Sequence, residues 1–250
     1  LVTLPQSQGV SAATNAALGQ ASGDVVAFVD HDDRLASGAL SMMARTFDHP
    51  DIQVAYSDED NIDSVGRRSA PVFKTRFNGE RLLAQNAINH LVCVRTDLLR
   101  GLGGLNSSYD GSQDHDLLLR ISEHVPETGF AHVPHILYHW RSFPGGQSFS
   151  QLQGRRTATA RRRAIEAHLE RTGRKARVED VAGGVCRTFW PLPRPLPSVR
   201  VIVPTNDRPD LLGACITGLL RVTDYPGLKV VIVDNGQGDP NARAQIRELA

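Results

Sequence analysis

The stretch VVAFVDHDDRLASGAL, residues 25–40, decides how this chain is read. Five apolar residues follow a Gly-Asp turn, too few for a helix and suited to a strand covered on both faces. The run ends in Asp30, Asp32 and Asp33, three acids within four positions. Carboxylates that close repel one another, and burial at a strand end adds to the cost. Two readings stand side by side. A hard divalent cation, Mg2+ or Mn2+, relieves the repulsion by taking one or two carboxylates and leaving its other positions to water and phosphate oxygens. Alternatively the acids form a solvated turn in which Asp33 or Ser37 caps the next helix.

The flanks extend the pattern. Upstream, GVSAATNAALGQASG (residues 9–23) reads as a helix, with Ala12, Ala13, Ala16 and Ala17 as a closely packed face. Downstream, ASGALSMMARTFDHP (36–50) is a helix with Leu40, Met43, Ala44 and Phe47 on one side. IQVAYSDED (52–60) is a second strand ending in acids. LVCVRTDLLRGLGGL (91–105) is a strand, a short helix and a glycine stop, and DHDLLLRISEHV (114–125) is a helix with Leu117, Leu118, Ile121 and Val125 inward. Strands alternating with helices predict an α/β fold with a mostly parallel sheet flanked by helices. Ligands of such sheets bind beyond the carboxyl ends of strands, and Asp30 lies at one.

Further along, residues 151–173 read as one long helix, and PLPRPLPS (191–198) as a stiff linker, since four prolines in eight residues fit neither a helix interior nor a central strand. A fresh strand-helix-strand unit then begins at about Val199. The domain reading is 1–150, a helical and Pro-rich segment over 151–198, and a second α/β unit over 199–250. The chain opens without Met and stops inside QIRELA, and both ends read as cut from a longer chain.

Charge is balanced, with 28 Lys+Arg against 27 Asp+Glu, so the chain as a whole is not a polyanion binder. The basic run RRTATARRR (155–163) is followed by Glu166 and Glu170 and has no interleaved aromatics. It reads as a solvated helix face rather than a nucleic-acid surface, with anionic lipid as the weaker partner. No apolar run reaches the roughly 18 residues of a membrane span. Cys93, Cys186 and Cys215 have neither zinc nor redox spacing and read as buried, reduced thiols.

Taken in order, GVSAATNAAL, ASGDVVAFVDHDDRLASGAL, YSDEDNID, GRRSAPVFK, NHLVCVRTDLLRGLGGLNSSYDGSQDHDLLLR and PHILYHWR make residues 1 to about 145 resemble a family 2 glycosyltransferase of the GT-A fold. The likeness is to the rhamnosyltransferase-like branch that builds bacterial surface polysaccharides. The resemblance implies that Asp30 and Asp32 form the Asp-x-Asp motif, with Asp33 the following acid, Asp32 the first choice of metal ligand, and Mn2+ or Mg2+ the cofactor. It implies that His139 reaches the metal or diphosphate, with Asn15 and Arg141 on the donor side. Asp114 matches the acceptor-side base, although Gln113 stands where the family commonly has Glu; the other role for Asp114, shared with Asp116, is to stabilise a helix N-terminus. Lys74, His90 and Gln113, with Asn89, line the acceptor side. Asp58, Glu59 and Asp60 are a second metal site or a solvated loop.

VIVPTNDRPDLL (201–212) and TDYPGLKVVIVDNGQGD (223–239) resemble the opening nucleotide-binding segment of another GT-A domain, which brings Thr205, Asp207, Arg208 and Asp234 toward a nucleotide. The expectation is a tandem enzyme: a metal-dependent, inverting transferase that moves a sugar from a nucleotide-diphosphate donor to a growing glycan or lipid-linked acceptor. It would work in the cytoplasm, at the inner face of the plasma membrane. A non-catalytic nucleotide-sugar or carbohydrate-binding module and a metal-dependent phosphohydrolase are the alternatives.

Overall fold

The computed structural model describes residues 1–142, 154–181, 183–206, 208–235 and 240–248. The chain forms two compact units, Leu1–Trp190 and Pro191–Ala250.

The first unit is built on six strands: β1 (Val25–Phe28), β2 (Arg34–Leu35), β3 (Val54–Ile62), β4 (Arg68–Val72), β5 (Val92–Arg95) and β6 (Phe130–Arg141). They lie in the order β1-β5-β3-β6-β2, with β4 paired to β3. Helices α1 (Val10–Gln20), α2 (Ala39–Thr46), α3 (Gly79–Leu82), α4 (Thr96–Gly101), α5 (Gln113–Ser122) and α6 (Gly154–Arg171) accompany the sheet, and a hairpin of β7 (Arg177–Val181) and β8 (Val185–Phe189) follows. Alternation along the strands feeds two cores. Val54, Tyr56, Val92 and Val94 pack with Leu117, Leu118 and Ile121 of α5 and with Ala164 and Ile165 of α6. Ala55 and Cys93 turn the other way and meet Ala39 and Met43 of α2. Each large apolar side chain so buried contributes about 1.5–3 kcal/mol.

The α/β fold is present, but its sheet is mixed where a mostly parallel one was expected. In this sheet β3 pairs in parallel with β6, while β1·β5, β3·β5, β2·β6 and β3·β4 are antiparallel. The connections explain this. β3 returns directly into β4 through a turn in which Asp63 accepts from the backbone N–H groups of Val65 and Arg67, and α3 has only four residues, too few for a crossover.

Several finer expectations shift. The buried residues of α1 are Ser11 and Leu18 rather than the alanines. Ser11 Oγ donates to Asp110 at 2.5 Å, and Asn15 exchanges two hydrogen bonds of 2.8 Å with the backbone of Leu105. Polar ties outcompete a smooth alanine face here. Gly104, at φ +71°, admits this tie, because a Cβ there would collide with Asn15 Oδ1. In α2, Leu40 and Ala44 point outward, and Ala39 and Met43 carry the packing. The described part of the expected 151–173 helix begins at Gly154, and residues 151–153 lie outside the described residues. Its basic face is partly neutralised within the unit: Arg162 pairs with Glu166 at 3.0 Å and Asp180 at 3.3 Å, and Arg171 with Glu123 at 2.6 Å. All three cysteines are free thiols, Cys93 and Cys186 buried, but Cys215 exposed on its helix. Among the described residues no helix is long and apolar enough to cross a membrane.

In the second unit, β9 (Arg200–Thr205) and β10 (Lys229–Asp234) pair in parallel through the crossover helix α7 (Pro209–Val222), and α8 (Pro240–Glu248) follows. Leu212, Ile216 and Ile246 form its small core. The proline-rich residues 191–198 carry neither helix nor strand.

Candidate active site

β1 delivers the acid turn to the mouth of the sheet. The next element is β2, and α2 begins only at Ala39 behind Gly38, with no side-chain cap. The acids therefore do not cap a helix. The turn is held from β6 instead. Tyr138 donates its hydroxyl to Asp33 Oδ2, the Arg141 backbone N–H donates to Asp33 Oδ1 at 2.8 Å, and Arg141 Nε donates to the Asp32 carbonyl at 2.6 Å. The Asp30 backbone N–H also reaches the Tyr138 hydroxyl, at 3.2 Å.

This anchoring separates the three carboxylates. Asp33 is committed at both oxygens. Asp30 and Asp32 keep side chains 59% and 46% exposed, and their nearest basic neighbours are histidines, His90 at 3.9 Å from Asp30 and His31 at 3.8 Å from Asp32. Burial and repulsion from Asp33, Asp32 and Asp114 raise the Asp30 pKa. Burial raises that of Asp33 too, against the hydrogen bonds from Arg141 and Tyr138.

Asp114 stands in the first turn of α5, half-buried, with Asn86 Nδ2 donating to its Oδ2 at 2.9 Å. Burial raises its pKa, opposed by backbone N–H groups at the helix start and by Asn86. Asp114 is one of the carboxylates whose charge repels that of Asp30. Asp116 is different in kind: fully buried, it binds Arg120 Nε at 2.8 Å, and Arg120 reaches on to the carbonyls of Leu102 and Gly104. Gln113 accepts from the Gly111 backbone N–H at 2.8 Å.

The remaining expected residues divide. His90 stacks on Tyr138 at 4.7 Å and meets Trp140 edge-on at 5.1 Å; burial, with help from Lys74, lowers its pKa to about 4. Lys74 is buried and donates to Glu59 at 3.2 Å and to the carbonyls of Asn89 and His90, so its ammonium braces the loop that carries His90. Asn15 is spent on Leu105. His139 pairs along its backbone with Arg34, just after the acids, while its Nδ1 bonds Asp60 Oδ1 at 2.5 Å, and Asp60 also holds Arg68 at 2.5 Å. Strand alternation paired His139 with Arg141, but Arg141 is joined at the acid turn by Tyr138 of the same strand, flagged in sequence only by a hydroxyl that needs a partner when buried. Asp58 binds His132 Nε2 at 2.7 Å and the Lys74 backbone N–H at 2.8 Å. With Asp58 and Asp60 side chains 4% and 3% exposed, the second acid cluster is a buried, paired network, not a solvated loop.

In the second unit Thr205 and Asp234 are register partners at the carboxyl ends of parallel strands. Arg208 is bound by both nitrogens to Asp210, at 2.9 and 2.8 Å. Asp207 lies outside the described residues.

Among the described residues no three His, Cys, Asp or Glu side chains converge into a ready cage for a metal. Two solvent-facing carboxylates on one turn do fit a cation that takes one or two protein oxygens and fills its shell with water and phosphate.

Residues 1–101 match the family model described as glycosyl transferase family 2. The chain is 38% identical over 250 residues to the O-antigen biosynthesis protein RfbC of Myxococcus xanthus, which covers 99% of this chain and 19% of that protein. It is 45% identical over 56 residues to an N-acetylglucosaminyltransferase of Rhizobium meliloti, covering 22% of this chain and 13% of the relative. Among solved structures, glucosyl-3-phosphoglycerate synthase from Mycobacterium tuberculosis, in complex with Mn2+, UDP-glucose and glycerol 3-phosphate, is 15% identical with a TM-score of 0.44, covering 75% of this chain and 64% of that one. The chain thus spans about a fifth of the Myxococcus relative's length.

Proposed function

We propose, on the premise that residues 1–101 match glycosyl transferase family 2, that the first unit is the donor and acceptor site of a metal-dependent, inverting sugar transferase of surface-polysaccharide synthesis. The observation that carries the reading is two unspent, solvent-facing carboxylates on one turn, Asp30 and Asp32, with a third, Asp114, whose charge repels that of Asp30. Asp32 and Asp30 would hold Mn2+ or Mg2+. The bound cation supplies charge stabilisation for the departing nucleoside diphosphate. Tyr138 and Arg141 fix the turn, so Asp33 shapes the site rather than ligating.

Asp114 acts as base. It accepts the proton of the acceptor hydroxyl as that oxygen bonds to the anomeric carbon and the bond to the diphosphate oxygen breaks. One displacement inverts the anomeric centre. Its raised pKa brings the base nearer to working pH. As pH falls through that pKa the carboxylate protonates and transfer stops, so the acidic limb of the rate profile lies above the usual carboxylate value of 3.8. The acceptor is a growing glycan or a lipid-linked sugar. The second unit, with Thr205 and Asp234 side by side, reads as the nucleotide-binding opening of a further transferase domain in a tandem enzyme.

The test is donor turnover with Mn2+ in the full-length parent protein. Asp114→Asn is expected to lower the transfer rate by about 10²–10⁴. Undiminished transfer by that variant sinks its role as base, and release of inorganic phosphate in place of a nucleoside diphosphate sinks the transferase reading.

A further inference from the structure

One loop reaches both Asp30 and Asp114. Residues 83–90 run from α3 to β5, and polar contacts pin them along their length. The Leu82 carbonyl pairs with His115 Nε2 at 2.7 Å, the Ala84 carbonyl accepts from the Cys186 backbone N–H at 2.8 Å, and the Lys74 ammonium donates to the carbonyls of Asn89 and His90. His90 at the end of the loop faces Asp30. In the middle, Asn86 Nδ2 donates to Asp114 Oδ2.

The amide of Asn86 is used unlike the other asparagines nearby. Asn78 and Asn106 cap helical turns with their side-chain oxygens, and Asn15 ties down Leu105 at both ends of its amide. Asn86 Oδ1 is buried and has no partner. Such an orphan acceptor is costly, and nothing on its own side fixes the orientation of the amide. The charge of Asp114 fixes it. Turned over, the amide oxygen would face a carboxylate oxygen and repel it. Asn86 is thus held in place for one contact.

We propose that Asn86 is a positioning residue for Asp114. It grips one carboxylate oxygen, fixes the rotation of the carboxyl group at the start of α5, and leaves the remaining lone pairs for the acceptor hydroxyl. This rests on the reading of Asp114 as base. It also makes the 83–90 loop the brace between acceptor and donor sides, with Asn86 in its middle and His90 at its end.

The experiment is a 13C carboxyl titration of Asp114 in this chain, with the signal assigned by its loss in Asp114→Asn. A hydrogen bond to the charged form favours ionisation, so Asn86→Ala is expected to move the Asp114 midpoint to higher pH. Asp30 is the carboxylate whose charge repels that of Asp114, so the pair of titrations is repeated in an Asp30→Asn background, where the upward shift persists. A purely structural role for Asn86 would lower the melting temperature and leave the midpoint where it was, and an unmoved midpoint in folded Asn86→Ala overturns the inference. Should Asn86→Ala fail to fold, Asn86→Ser, too short to span to Asp114, is read by the same criterion. The two readings fail separately. Full transfer by Asp114→Asn defeats the base while leaving the shift intact, and an unmoved midpoint beside an inactive Asp114→Asn defeats the positioning role alone.

Discussion

Asp58 and Asp60 lie along β3 with a basic or N–H partner on each, sealed from solvent; Asp30 and Asp32 lie on the turn after β1, half in solvent, with histidines at nearly 4 Å as their closest basic neighbours. Both clusters come behind an apolar run in the sequence, and both place three acids in three or four positions. The difference is what surrounds them. A buried carboxylate is retained only when paired, so pairing marks the strand cluster as part of the fold. Carboxylates left unpaired at the mouth of a cleft repel one another until something binds, and that marks the turn as a candidate site. Asp33 shows the boundary between the two behaviours, since it belongs to the turn by sequence and to the scaffold by its bonds to Tyr138 and Arg141.

Breaking the strand cluster should cost the most stability. Asp60→Ala strands His139 and half-exposed Arg68, and we predict a loss of about 3 kcal/mol, at the low end for a broken buried pair because Arg68 already reaches water. Chemical denaturation measures it, and a loss below about 0.5 kcal/mol would falsify the structural assignment of that cluster. An intermediate effect is expected at the boundary residue. Asp33→Ala removes the acceptor of two hydrogen bonds and should cost about 1–3 kcal/mol while also loosening the turn that presents Asp30 and Asp32. Tyr138→Phe removes one of the two bonds together with the acceptor of the Asp30 backbone N–H, and should cost about as much as Asp33→Ala. The smallest stability effect belongs to the exposed acid. Asp32→Ala should stay within about 0.5 kcal/mol of the parent, yet it should abolish the rise in melting temperature that Mn2+ with a nucleoside diphosphate gives. If Asp32→Ala keeps that rise and Asp60→Ala loses it, the assignments of the two clusters are reversed.

Much of the site could be read along the chain. The apolar run, the acids behind it and the helix that starts at Gln113 are local features, and their order suffices to suggest donor and acceptor sides. The role of each carboxylate was not legible. Asp33 and Asp32 differ in sequence by one position, and only the arrival of β6 beside β2, more than 100 residues later, commits Asp33 to Tyr138 and Arg141. The same holds for His139. Strand periodicity put it with Arg141, but its partner is set by the parallel pairing of β6 with β3, which brings Asp60 opposite it. Lys74 read as a substrate-facing cation until burial showed it spent on Glu59 and two loop carbonyls.

The sequence by itself determined the longer helices and the apolar strands, because helix and strand periodicities, glycine stops and proline breaks are properties of neighbouring residues. It also determined where acids would crowd. The tertiary structure alone decided the sheet's mixed direction and which acids are paired. Both depend on contacts between residues far apart in the chain, where a single hydrogen-bonding neighbour turns a repelling carboxylate into a fixed part of the scaffold.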